Sequence, residues 1–157
     1  MSEDASFEDG AERPLRLKAE DTDDLQVISA LLQDAVLPGS EMTWKASQRR
    51  FGMLLNRFRW EDKDRATQRG RPLERVQSVL AIDDVSKVQT AGISRDADTV
   101  LSVLAITFDP VEDGTGRVEI TLAGDGAIGL DVECLNVTLQ DVTRPYLAPS
   151  RKVPTHE

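Results

Sequence analysis

Residues 57–60 read Arg57-Phe58-Arg59-Trp60. In an extended strand the two arginines share one face and the two rings share the other. A guanidinium grips phosphate or carboxylate through a bidentate fork, and an exposed ring can stack on a base. Arg49 and Arg50 lie just upstream. Arg49, Arg50, Arg57, Arg59 and Trp60 are therefore the candidate binding residues. Their chemistry suits an acidic protein partner, a second copy of the chain, or a single-stranded RNA. A plainer reading competes with this one. In it the rings enter the core and the arginines pair with the chain's own carboxylates.

Other constellations are weaker. Gly124-x-Gly126-x-x-Gly129 matches a dinucleotide fingerprint. That site needs a strand before the turn and a helix after it, so that free N–H groups meet the pyrophosphate. Here the following residues alternate at period two, which predicts a hairpin turn instead. The one histidine, His156, is the penultimate residue, where nothing orients it for acid–base work. Zinc sites draw mainly on Cys and His, and the chain has one of each. Cys134 follows Glu133 in an apolar run and is expected to be a buried structural cysteine rather than a lowered-pKa nucleophile. Asp131 and Glu133 share a strand face and could bind a cation or work as an acid–base pair. The apolar parity opposite them, Leu130-Val132-Cys134, makes a solvated face the simpler expectation. No catalytic residue, metal or cofactor is assigned. An enzyme or small-ligand binder with a carboxylate and arginine site stays as an alternative.

The elements that must position these residues are mostly strands. Leu15 and Leu17 alternate with bases and open the fold. Asp21 or Thr22 caps a helix carrying Leu25, Ile28 and Leu32, which the Pro38-Gly39 stop limits to about Ala35. Met42–Ser47 and Arg50–Trp60 form a hairpin. Phe51, Met53 and Leu55 lie on one face of its second arm, and Leu54, Phe58 and Trp60 lie on the other. Both faces are covered, or a bulge near Asn56 swaps them. Residues 61–74 have almost no apolar side chain and are expected to form a mobile loop. Val76–Val88 is a strand region that can break at Asp83-Asp84. Val100–Phe108 is a strand, and residues 118–132 give the strongest hairpin pattern. Residues 134–142 fit a strand or a helix, and the β-branched Val137 and Thr138 favour strand.

This pattern predicts an α+β fold. Its frame would be a curved antiparallel sheet or partial β-barrel of about 6–8 strands, with one N-terminal helix packed on it. Residues 14–146 would form a single domain between a disordered acidic tail at 1–13 and a C-terminal tail at 147–157. The chain has 157 residues, enough for a self-sufficient core.

The net charge is −9. Such a chain is repelled by phosphate backbones and anionic lipid surfaces, so nucleic acid is disfavoured and no membrane partner is expected. The charge is uneven. Residues 45–75 hold ten bases and four acids, whereas residues 104–141 hold eight acids and one base, Arg117. The single cysteine excludes an internal disulfide. With no apolar leader or spanning segment, a cytoplasmic location is expected.

Four segments read together resemble a known family. They are LLQDAVL at 31–37, RRFGMLLNRFRWE at 49–61, LSVLAITFDP at 101–110 and GRVEITLAGDGAIGLDVECLNVTLQDV at 116–142. In this order they are similar to the bacterial proteins grouped as domain of unknown function 2948. The resemblance implies a shared fold and a bacterial source. It carries over no activity and no catalytic residue. The function expected from the residues is a non-enzymatic binding or assembly module that uses the basic strand 49–60 and associates with a protein partner or with itself.

Overall fold

A computed structural model of the chain describes residues 14–94 and 96–147. The expected tail at 1–13, most of the one at 147–157, and His156 lie outside the described residues.

Among the described residues, ten strands form one antiparallel sheet. In chain order they are β1 (Arg16–Ala19), β2 (Val36–Pro38), β3 (Met42–Lys45), β4 (Arg50–Phe58), β5 (Arg75–Ile82), β6 (Val85–Ala91), β7 (Val100–Pro110), β8 (Gly116–Leu122), β9 (Gly126–Val132) and β10 (Val137–Asp141). The spatial order is β1-β10-β5-β4-β2-β7-β8-β9-β6, with β3 paired to β4 beside β2. The sheet is open, since β1 and β6 end the path. The expected α+β class holds, but the strand count exceeds the expected range. Among the described residues two α-helices are present instead of one: α1 (Thr22–Leu31) and α2 (Lys63–Gln68).

The capping expectation for α1 holds. The Asp21 carboxylate accepts the Asp24 N–H at 2.8 Å, and Asp23 and Asp24 sit at the positive end of the helix dipole. Leu25 and Ile28 are buried, and the Ser29 hydroxyl accepts the Ile106 N–H at 3.0 Å, fixing α1 on β7. The helix ends earlier than expected. Asp34 turns the chain in the left-handed region (φ 64°), which frees Val36–Pro38 to slot between β4 and β7.

Two bends divide the longer strand regions. Asp83-Asp84 separates β5 from β6, with Asp84 at φ 59°. Residues 133–136 separate β9 from β10. Residues 137–141 are a strand, as the β-branched pair favours. One core takes alternate residues from both ends of the strand order, including Ala19 and Val85.

Residues 61–74 are not simply a loop. A 3-10 turn at Trp60–Asp62 leads into α2, and Ala66 and Leu73 pack on Phe58 in a second small core beside Trp60. The few apolar side chains of this insertion all go to one ring that β4 presents on its outer side. Both faces of β4 are thus covered at this end, with no bulge in its register with β5.

Candidate functional site

Three strands share a pattern that positions the site. On the inward face, β4 presents Phe51, Met53, Leu55 and then Arg57. β5 presents Ile82, Leu80 and then Ser78, and β10 presents Val137, Leu139 and then Asp141. Ser78 and Asp141 are register partners, and Ser78 faces Leu55 on its other side. The apolar rows therefore close at one end with an arginine, a hydroxyl and a carboxylate.

Arg57 has no exposed surface. Its Nη2 lies 3.0 Å from both Asp141 oxygens, and its Nε donates to Ser78 Oγ at 3.1 Å. Nη1 and Nη2 hold Glu61 in a fork at 2.8 and 2.9 Å, and Nη1 also donates to the Phe58 carbonyl. Asp141 accepts in addition from Ser78 Oγ at 2.7 Å and from the Leu15 N–H at 2.9 Å. Burial works against the Arg57 charge, but Glu61 and Asp141 outweigh it and raise its pKa. For Glu61, burial pushes upward, and the Arg57 fork overcomes it and lowers the pKa.

Outside this closed network lies an open cleft of about 1470 Å³. Arg59, just after β4, lines it with Arg65, Arg69 and Arg71 of the insertion, and the segment after β10 supplies Val142, Arg144 and Leu147. Pro14 lines it where the chain enters β1. Five arginines line the cleft against two carboxylates, Glu74 and Asp141. Asp141 shares the single positive charge of Arg57 with Glu61. Arg59 pairs with Glu74 at 2.7 Å and Arg71 with the buried Asp62 at 2.7 Å, while Arg65 reaches Asp62 at 4.0 Å. Arg69 and Arg144 make no ion pair among the described residues. Val142 and Leu147 leave about half of their surface open.

The five candidate binding residues do not form one face. Arg57 is sealed in the core, so the reading that places it on an exposed face with Arg59 is corrected. Its parity with Phe51, Met53 and Leu55 is the signal that marks it. Arg59 is only 7% exposed. Arg49 and Arg50 lie at the far end of β4, where they pair with Glu133 and Asp83 at 2.7 Å each. Trp60 is partly buried, packs at a tilt against the Phe58 ring and donates from Nε1 to the Gln33 carbonyl at 2.9 Å. Arginines pairing with the chain's own carboxylates is thus the dominant arrangement along β4. Arg65, Arg69, Arg71 and Arg144 are the cleft residues that the strand-based reading misses.

The remaining motifs resolve into structure. Gly124 and Asp125 turn the β8–β9 hairpin in the left-handed region. Gly129 makes room for Arg117, whose guanidinium would lie 1.9 Å from an added Cβ. That guanidinium reaches Asp131 at 3.0 Å. Asp131 and Glu133 therefore pair with different arginines on a partly exposed surface, and neither lines the cleft. Cys134 is exposed, which corrects the expected burial. Its Sγ donates to Asp84 Oδ2 at 3.2 Å, and this bond holds the thiol protonated by raising its pKa. Among the described residues no helix is long and apolar enough to cross a membrane.

Comparison with known proteins places the chain in a family. The model of the family described as "Protein of unknown function (DUF2948)" matches residues 15–156, and the chain belongs to that family. No curated protein and no solved structure matches it.

Proposed function

We propose that this chain is a non-enzymatic binding module whose contact site is the arginine-lined cleft, and that its partner is an acidic polypeptide segment. The observation that carries this reading is the pair Arg69 and Arg144. Among the described residues they have no carboxylate partner, in a chain of net charge −9, while Arg49, Arg50, Arg57, Arg59 and Arg71 all have one. The size of the cleft supports a polymer over a metabolite. Small-molecule pockets run to about 300–1,000 Å³ and enclose their ligand. Here the space is larger and open, and exposed apolar side chains lie among the cations. Cations facing an acidic partner speed its encounter, and reversing them sets like charges against it, which weakens binding.

The test is fluorescence anisotropy with a labelled decaglutamate peptide. Binding is expected to weaken steeply with salt. In the full chain, Arg69→Glu with Arg144→Glu is expected to lower affinity at least about tenfold and to leave the melting temperature unchanged. Equal affinity in the double variant contradicts the reading.

A further inference from the structure

The chain enters its first strand through the cleft. Pro14 lines it, and Leu15 is clamped there by two hydrogen bonds: its N–H donates to Asp141 Oδ2, and its carbonyl accepts the Asp141 N–H, each at 2.9 Å. Residues 1–13 are therefore covalently tethered to the rim. They carry five carboxylates (Glu3, Asp4, Glu8, Asp9 and Glu12), one base, Arg13, and one large apolar side chain, Phe7. This composition complements the lining, where Arg69 and Arg144, which make no ion pair among the described residues, share the cleft with exposed Val142 and Leu147.

We propose that the acidic residues 1–13 compete in cis for the arginine cleft, so that an acidic partner must displace the chain's own segment to bind. This rests on the reading of the cleft as a site for acidic polypeptide. Reach is not limiting, since thirteen extended residues span at most about 45 Å. Tethering at the rim sets an effective concentration of order millimolar. Even a weak tail–cleft contact then lowers the apparent affinity for a partner in trans, because only the unoccupied fraction of the cleft is competent to bind.

The experiment compares three full-length proteins in decaglutamate binding. One is unaltered. The second carries Glu3→Gln, Asp4→Asn, Glu8→Gln, Asp9→Asn and Glu12→Gln. The third is a charge-matched control carrying Asp98→Asn, Asp109→Asn, Glu112→Gln, Asp113→Asn and Asp125→Asn, at exposed positions that do not line the cleft. The tail variant is expected to bind at least about tenfold more tightly than the unaltered chain, and the control to change less than about twofold. An unchanged tail variant, or a control that gains as much, overturns the competition while the cleft reading stands. Absence of binding in all three overturns the cleft reading itself and the competition with it.

Discussion

Arg57 and Arg69 come from one basic run, and the fold uses them in opposite ways. Arg57 is sealed at the end of the core and meets two carboxylates, a hydroxyl and a carbonyl. Arg69 stands at an open cleft and makes no ion pair among the described residues. The charge density that the sequence shows as one block is therefore two things. One part closes the core, and the other is left for something outside it.

The largest effect should come from breaking the closed part. Arg57→Met leaves Asp141 buried without its countercharge, and loss of one partner of a buried pair costs about 3–5 kcal/mol. Urea denaturation should register that loss. The double variant Arg57→Met with Asp141→Leu should recover part of it, because an apolar pair of similar volume removes the stranded charge. A double variant as unstable as the two single losses added together would mean that the pair does not act as a unit.

A smaller effect follows from Glu61. Its pKa is lowered in the folded chain, so its contribution is complete above the ordinary value of 4.5 and fades as pH falls through the lowered one. Glu61→Gln should therefore be less stable than the unaltered chain at neutral pH, and the difference should shrink on acidification. Denaturation series across the acid range check this. A difference that stays constant with pH would show that the Arg57 fork is not what lowers the Glu61 pKa.

Alternation made much of the frame legible. The β3–β4 and β8–β9 hairpins, the break at Asp83-Asp84 and the strand at 137–141 all follow from period-two patterns with turn residues between them. β2 was not legible, since three residues including Pro38 carry no periodic signal. Residues 61–74 were not legible as structure because only Ala66 and Leu73 are apolar there, and both are buried by Phe58 from outside the segment. Arg57 was readable only by parity, as the residue that continues Phe51, Met53 and Leu55. A charge at the end of an apolar row looks like the end of the buried face, and Asp141 from a distant strand, with Ser78 and Glu61, makes it otherwise. The cleft is the least legible feature, since it joins residues 59–74 to residues 140–147. No local pattern reports contacts of that separation.

The two ends of β4 provide the most direct test of the central claim. At one end Arg49 and Arg50 are already paired with Glu133 and Asp83; at the other the cleft holds Arg69 and Arg144, which have no ion-pair partner among the described residues. Amide chemical-shift mapping of the full chain titrated with decaglutamate should move resonances of Arg69, Gly70, Arg71, Thr143 and Arg144, and leave those of Arg49, Arg50, Asp83 and Glu133 in place. Shifts centred on Arg49 and Arg50, with the cleft residues unmoved, would contradict the account.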